Sequence, residues 1–267
     1  MAAIRRSPIW PDPRVKPPFG AAQINWGHPL ARGLIACWLF NEGGGDPIDL
    51  SQLPRRATIT DRTNMKWSAG AGESGLRQLA NTGTTRGVTL SPTLSLLTSS
   101  TFSVETRIVP TSVGDSYGAL LTYGTSRGMW FRGALLQNSW FVGTDHLNTT
   151  AITAGTLHTY LATIASGTNL SWYLDGKADG TATITDVNYD FEAIGNDTSS
   201  ETFDGLVVFT RVWNTLLSPA AALWLHAEPY AFLQPVIRRR WFVPAAAGAP
   251  TGGVVTPRSL GLLGVGA

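Results

Sequence analysis

The 267-residue sequence is poor in cysteine and in charged residues. Its one cysteine, Cys37, cannot form an internal disulfide, and no histidine or lysine stands beside it to activate a catalytic thiol. Charged residues make up 14% of the chain, well below the usual quarter, and no apolar stretch approaches the roughly 20 residues of a membrane-spanning helix. With a formal net charge of +2, the chain has no strong field for nucleic acid or for a membrane, so we expect neither as a partner.

The first residues also lack the apolar core of a secretory signal. The pair Arg5-Arg6 leads directly into Ser7-Pro8-Ile9-Trp10-Pro11, and this proline-containing run cannot form a signal helix. We therefore expect synthesis in the cytoplasm without a signal peptide.

What the sequence does contain divides it into three parts. Residues 1–33 are rich in proline, which removes backbone donors and extends the residue before it, so we expect an irregular N-terminal arm. Residues 34–228 alternate short apolar segments with glycine, asparagine and aspartate turns. Residues 229–267 contain an arginine cluster followed by a segment rich in alanine, glycine, proline and valine. This composition predicts a C-terminal arm.

Period-two alternation in the central part predicts strands. In residues 102–109, the apolar side chains at 102, 104 and 108 share one face, and Glu105 lies on the other, where we expect it to be solvated. The same period recurs over 159–164, over 170–174 before the Asp175-Gly176 turn, and over 206–212.

A single short helix is predicted from Ser218 to about Ala227. Serine can cap the free amides, proline fits the first helical turn, and Pro229 ends the helix. One helix among many strands with glycine-rich turns indicates an all-β, two-sheet antiparallel sandwich rather than an α/β fold. We expect its core to contain the following side chains: Trp38, Phe102, Ile108, Trp172, Leu174, Leu206 and Val208.

Five motifs occur in a characteristic order. They lie at residues 33–45, 102–111, 154–177, 194–214 and 217–219. Their order resembles that of laminin G-like, concanavalin A-like jelly-roll domains over residues 34–228, and residues 227–232 resemble phage- and prophage-encoded members. The resemblance implies a jelly roll that binds glycans or proteins. One departure is Val207-Val208-Phe209, where the family often has an acidic pair, so the calcium site of some relatives is not transferred to this chain.

Enzymes of this fold hydrolyse β-glucans with carboxylates in a Glu-x-Asp-x-x-Glu spacing on one strand face. None of the six glutamates has that spacing: Glu42, Glu73, Glu105, Glu192, Glu201 and Glu228. The four histidines are scattered, without metal-ligand spacing. We therefore expect no catalytic residue, no metal site and no cofactor, with a structural calcium ion in the loop at 195–204 as the alternative.

Tryptophan is abundant, with ten residues. Some aromatic residues lie in a region punctuated by glycine and serine and could stack on sugars at the rim of the sandwich. The candidates for glycan binding are Tyr123, Trp130, Trp140 and Asp197. The alternative is that these aromatic rings pack between neighbouring strands or subunits.

Two functions of different classes follow. The first is a non-enzymatic structural protein of a phage virion, a head-decoration or collar/tail accessory subunit, made in the host cytoplasm and bound to other virion proteins and to copies of itself. Its arms would supply the contacts, through arginine and aromatic residues: Arg5, Arg6, Trp10, Arg238, Arg239, Arg240, Trp241 and Phe242. The second is a carbohydrate-binding adhesin that recognises host surface glycans.

The two arms have an alternative role, because they could instead wrap back on their own sandwich and cover its sheet edges. If the arms serve assembly, deletion of residues 1–26 or 244–267 is expected to cost little folding stability but to abolish incorporation into the particle or oligomer formation.

Overall fold

The structure, a computed structural model, describes residues 10–63, 65–78, 87–96, 101–111, 117–124, 127–166, 168–184, 189–195 and 203–236. Within these ranges the strands are β1 Ala22–Ile24, β2 Leu34–Trp38, β3 Arg56–Ile59, β4 Met65–Gly70, β5 Glu73–Gln78, β6 Val88–Leu96, β7 Phe102–Pro110, β8 Gly118–Tyr123, β9 Arg127–Arg132, β10 Gln137–Val142, β11 Asp145–Leu147, β12 His158–Ala165, β13 Asn169–Leu174, β14 Lys177–Thr183, β15 Tyr189–Ile194, β16 Gly205–Trp213 and β17 Leu233–Pro235. A short 3-10 helix spans Pro29–Ala31, and the α-helix α1 spans Pro219–Ala227. None of these helices is long and apolar enough to cross a membrane.

The strands form two large antiparallel sheets. One has seven strands in the order β11-β10-β9-β8-β15-β6-β3, and the other has eight, in the order β14-β13-β12-β7-β16-β5-β4 with β2 also paired to β16. The long strand β16 pairs with β5 through its first residues and with β2 through its last ones. The predicted all-β antiparallel sandwich is therefore confirmed.

The main core lies between the two sheets. Trp38, Phe102, Ile108 and Trp172 are all buried there, as predicted, and Leu174 is partly buried against them. Phe102, Val104 and Ile108 contribute the inward face of β7, which agrees with the period-two pattern.

The outer face of the eight-stranded sheet is covered by a further layer that the sequence did not reveal. Ile24 and Leu30 from the N-terminal arm, Leu225 from α1 and the segment 230–233 form a second apolar cluster with the outward side chains of the sheet. We call this layer the cap. Because of the cap, several strands of the eight-stranded sheet are buried on both faces.

Strand β16 shows the consequence of this double burial. Leu206 and Val208 were expected in the main core, but they lie in the cluster beneath the cap, whereas Val207 faces the main core. An irregularity in the β16–β7 pairing between Val207 and Phe209 shifts the alternation. A continuous apolar run carries no period-two signal, because both faces of the strand are apolar. The predicted register was therefore wrong here.

The described parts of both arms pack against the sandwich. Strand β1 of the N-terminal arm pairs with β17, which lies beyond the predicted sandwich boundary at residue 228. The side chains of Tyr230 and Phe232 are fully buried. The folded unit therefore includes residues 10–33 and 229–236 rather than residues 34–228 alone.

Lys16 anchors the arm to the eight-stranded sheet. Its ammonium donates hydrogen bonds to the carbonyl oxygens of Ser74 (2.7 Å), Val208 (2.7 Å) and Phe40 (3.2 Å). Burial lowers the pKa of Lys16 to about 7, against the opposing effect of nearby Glu73. One arm side chain thus contacts two strands and the segment that follows β2.

A buried ion pair also lies beneath the cap. Glu105 was expected to be solvated, but it is 1% exposed and accepts a hydrogen bond of 3.1 Å from Nη1 of Arg211, which is itself fully buried. The Arg211 guanidinium lies 3.7 Å from the centroid of the Phe209 ring and 4.8 Å from that of Phe232. The expectation for Glu105 was wrong because the polar face of β7 is covered by the cap rather than by water.

Candidate functional site

The outer face of the seven-stranded sheet carries a group of aromatic and charged side chains. Strands β8 to β11 are neighbours, and their registers place Trp130 opposite both Ala119 and Ser139, and Phe141 opposite Asp145. Since alternate residues of a strand share a face, these side chains project together from the sheet. We call the following set the aromatic patch: Tyr117, Trp130, Arg132, Ser139, Phe141 and Asp145.

Three rings of the aromatic patch contact one another edge to face. The centroid of Trp130 lies 6.1 Å from that of Tyr117 and 6.0 Å from that of Phe141, and the centroids of Tyr117 and Phe141 are also 6.0 Å apart. Trp130 is 1% exposed, whereas Tyr117 and Phe141 are partly exposed. Trp130 is thus the buried base of the patch, and the other two rings reach solvent.

A carboxylate organises the polar side of the patch. Asp145 accepts hydrogen bonds from the Tyr117 hydroxyl (3.1 Å), from the Ser139 hydroxyl (2.7 Å) and from Arg132, with which it also forms an ion pair. The guanidinium carbon of Arg132 lies 3.8 Å from the centroid of the Tyr117 ring. Charge-assisted hydrogen bonds and cation–π contacts restrict side-chain rotamers. The patch is therefore a preorganised surface with apolar rings and hydrogen-bonding groups side by side.

The glycan-binding residues predicted from the sequence do not come together. Trp140 is fully buried in the main core, where its indole nitrogen donates to the Tyr189 hydroxyl at 3.2 Å, and Trp130 lies beneath the other rings of the patch. Neither indole offers a face to a sugar, so these two assignments are corrected. Tyr123 is partly exposed at the end of β8, near Arg127. Asp197 lies outside the described residues.

The predicted assembly residues fall largely outside the described ranges. These are Arg5, Arg6, Arg238, Arg239, Arg240, Trp241 and Phe242. Trp10 is described, and its backbone amide donates to Leu233 while its indole nitrogen donates to the carbonyl oxygen of Val15, each at 3.0 Å. Trp10 is therefore bonded to its own domain, as the self-wrapping alternative requires.

The described glutamates all have structural partners. Glu42 accepts from the Ile48 amide, Glu192 from the Gly124 amide, and Glu228 from the Trp224 indole. Glu73 accepts from the Tyr230 hydroxyl, and Glu105 is paired with Arg211 as described. The remaining glutamate, Glu201, lies outside the described residues. Each described glutamate carboxylate is thus engaged by the chain itself.

A hydrogen-bonded hydroxyl–imidazole–carboxylate series lies at the start of β12. The imidazole of His158 is 2.8 Å from the Asp175 carboxylate through Nδ1 and 2.6 Å from the Thr156 hydroxyl through Nε2. Burial opposes ionisation of Asp175, but hydrogen bonds from His158 and the Thr159 amide outweigh it and lower the pKa of Asp175. The Thr156 hydroxyl also donates to the Thr153 carbonyl. These hydrogen bonds therefore hold the 153–158 turn against the β13–β14 turn.

Neither a reactive thiol nor a metal-binding cluster occurs among the described residues. Burial raises the pKa of Cys37 to about 12, so this thiol stays protonated and is not a nucleophile at neutral pH. Among the residues that the structure describes, no group of three or more histidine, cysteine, aspartate or glutamate side chains is arranged to hold a metal ion.

The geometry agrees with a comparison against known families. A laminin G-type family model, described as the concanavalin A-like lectin/glucanases superfamily, matches residues 82–222, more than half of the chain. The chain belongs to this superfamily. The matched part of this concanavalin A-like domain contains β6 to β16, and so includes every residue of the aromatic patch. No curated protein matches the sequence.

Solved structures share the fold of this concanavalin A-like domain at low identity. Trypanosoma rangeli sialidase matches 73% of this chain with 15% identity and a TM-score of 0.55, and the match spans 32% of the sialidase chain. Domain 4 of AbnA, a GH43 extracellular arabinanase from Geobacillus stearothermophilus, in complex with arabinotriose, matches 77% of this chain and 99% of its own, with 15% identity and a TM-score of 0.52. The binding domain of Paraclostridial Mosquitocidal Protein 1 matches 73% of this chain and 52% of its own, with 13% identity and a TM-score of 0.52. The chain thus spans about a third of the sialidase, and these matches show the fold alone.

Proposed function

We propose that this domain binds carbohydrate without cleaving it and that the aromatic patch is the binding surface. The observation that carries the proposal is the partly exposed pair Tyr117 and Phe141 beside the Arg132–Asp145 ion pair. Sugar rings have apolar C–H faces and polar hydroxyl edges, so a binding surface needs an aromatic ring next to charge-assisted hydrogen-bonding groups. The patch supplies both on one rigid sheet.

Two further observations support binding rather than hydrolysis. The glutamate carboxylates of the described residues are engaged by the chain, so none of them is free to serve in the pair of carboxyl groups that most glycoside hydrolases use. In addition, one domain of the same fold was solved with arabinotriose. A broad class of neutral or acidic glycans, including those of a host surface, is therefore the ligand class to test.

Replacing Phe141 with alanine is expected to weaken glycan binding at least about tenfold, equivalent to ~1.4 kcal/mol, because the substitution removes an accessible ring from the patch. A glycan array would identify a ligand, and calorimetry would then measure Kd for the wild type and the variant. Phe19→Ala is the matched control, since Phe19 is a phenylalanine on the arm with 55% exposure.

Equal loss of affinity in the Phe19 and Phe141 variants would contradict binding at the patch. Release of reducing sugar from the bound glycan, abolished by substitution of one glutamate, would contradict the non-catalytic part of the proposal.

We propose a second role as a structural subunit of a phage virion, made in the host cytoplasm and assembled with other virion proteins and with copies of itself. The supporting observation is an apolar surface beside α1, where Leu216, Leu223 and Trp224 are 49%, 55% and 39% exposed. Leu216 and Trp224 line a shallow cleft there. Clustered exposed apolar side chains favour protein contacts.

Leu216→Asp is expected to weaken self-association or particle incorporation at least about tenfold, because a charge replaces an apolar contact at this surface. Analytical ultracentrifugation and incorporation into purified particles are the two measurements. Leu135→Asp serves as the control, because Leu135 is 44% exposed in the turn between β9 and β10. A monomeric wild-type protein that is also absent from purified particles would refute the structural role.

A further inference from the structure

A recess distinct from the aromatic patch and from the cleft beside α1 lies in the sandwich. It is formed where β2, the segment before β3, the end of β6 and the end of β16 meet. We call it the edge cleft. Its volume is about 370 Å³, near the lower end of the range of about 300–1,000 Å³ that is usual for small-ligand sites. Four polar residues line it, Gln52, Arg55, Ser95 and Asn214, and the rest of its wall is leucine and isoleucine.

Arg55 presents one free donor to the edge cleft. Its Nη1 donates to the Ile35 carbonyl at 2.9 Å, and its Nε is buried without a hydrogen-bond partner. Nη2 has no partner within the described residues and is not among the buried atoms. The backbone and a carboxylate hold the guanidinium, so Nη2 is fixed in position.

The charge of Arg55 is already compensated. Nη1 lies 3.7 Å from the fully buried carboxylate of Asp49, which also accepts hydrogen bonds from the backbone amides of Cys37, Ser51 and Arg55. On the other side of the cleft, the Ser95 hydroxyl donates to Asp190. With two carboxylates and one guanidinium around it, the cleft has no excess positive charge to attract an anion.

Gln52 and Asn214 contribute side-chain amides that are available for hydrogen bonding. Both residues are exposed, and neither amide has a hydrogen-bond partner in the part of the chain that the structure describes. Gly33 has a φ of +74°, and a side chain there would meet Asn214 Oδ1 at 2.7 Å. The absence of a side chain at Gly33 therefore leaves space for the Asn214 amide at the end of β16.

We propose that the edge cleft binds one neutral sugar residue. Arg55 Nη2 donates to a hydroxyl or ring oxygen, the amides of Gln52 and Asn214 each donate and accept, and the leucine wall covers the apolar face of the sugar ring. The volume fits one residue rather than a long chain, and the charge balance selects a neutral sugar over an acidic one. This inference rests on the proposed carbohydrate-binding function and adds a second site with its own ligand preference.

The test follows side-chain amide signals of the full ¹⁵N-labelled chain by NMR during titration with neutral methyl glycosides of hexoses and pentoses. The signals of Gln52 and Asn214 are expected to shift saturably with at least one glycoside, with Kd on the order of 1 mM. Methyl glucuronide is the acidic comparison for methyl glucoside and is expected to shift them less. Asn214→Asp, which keeps the side-chain shape and adds a negative charge, is expected to weaken the Gln52 shift about tenfold, and Arg55→Lys is a second variant.

Phe141→Ala separates the two sites. The edge-cleft shifts are expected to persist in this variant although binding at the aromatic patch is lost, whereas Asn214→Asp leaves patch binding unchanged. Absence of any saturable shift with every neutral glycoside would overturn the edge-cleft site even if the patch binds glycans. Tighter binding of the glucuronide than of the glucoside would overturn the assignment of a neutral ligand.

Discussion

Replacing Arg211 with methionine is expected to lower the free energy of unfolding by about 3–5 kcal/mol. Methionine retains much of the packing against Phe209 and Phe232, but it leaves the carboxylate of Glu105 buried without its partner. Urea denaturation followed by tryptophan fluorescence would measure the loss.

The pH dependence of this variant follows from Glu105. Burial raises the pKa of Glu105 above its ordinary value of 4.5, and Arg211 opposes that rise. A group whose pKa is raised in the folded state binds more protons there, so its contribution to stability falls as pH rises through the window between the unfolded and the folded pKa. Without Arg211 the pKa of Glu105 in the folded state rises further, so this pH window widens. At acidic pH the carboxyl group is protonated in both states, and the destabilisation of the variant is expected to be smallest there.

A double variant provides the control. Arg211→Met combined with Glu105→Leu removes both charges, and it is expected to recover most of the lost stability, because apolar replacement of a buried pair is often close to neutral. If the double variant were less stable than Arg211→Met alone, the buried carboxylate would not be the cause of the loss.

Deletion of residues 1–26 is expected to cost about 3–5 kcal/mol of folding stability. The deletion removes β1 with the buried side chain of Ile24, and it removes the three hydrogen bonds of Lys16. It also exposes part of the apolar cluster beneath the cap. The sequence suggested that this deletion would cost little, and the contacts of residues 10–26 reverse that expectation.

Thermal unfolding and binding of a hydrophobic dye would measure the effect of the deletion. A chain lacking only residues 1–9 is the matched control, because it keeps Trp10 and Lys16, and it is expected to unfold within a few degrees of the full chain. A melting temperature that is unchanged after deletion of residues 1–26 would show that the arm contributes nothing to folding.

Much of the sandwich was predictable because local signals agreed with its tertiary structure. The predicted helix from Ser218 matches α1, and the Ser218 hydroxyl accepts a hydrogen bond from the Ala221 amide as a helix cap. The strand at residues 102–109 matches β7, and its inward face is the predicted one. These elements have one apolar face or a recognisable cap, so their pattern is visible in a few consecutive residues.

The cap and the aromatic patch were not predictable, because they depend on contacts between residues that are far apart in the sequence. Glu105 and Arg211 are 106 positions apart, and nothing in either local sequence identifies its partner. The patch depends on the order of β8 to β11 in the sheet, which brings Tyr117, Phe141 and Asp145 together from three different segments. The abundance of tryptophan indicated this region, but the alternation of side chains along each strand determines which rings are accessible.

The pairing of β1 with β17 has a mechanical consequence. The Trp10 amide donates a hydrogen bond to the Leu233 carbonyl, and the Val236 amide donates one to the Ala21 carbonyl at 2.9 Å. The N-terminal arm and the segment 233–236 therefore run side by side. A force that pulls these two strands apart acts across their hydrogen bonds, which then break one after another rather than together. The short ribbon would therefore open by unzipping, before the strands of the sandwich bear tension.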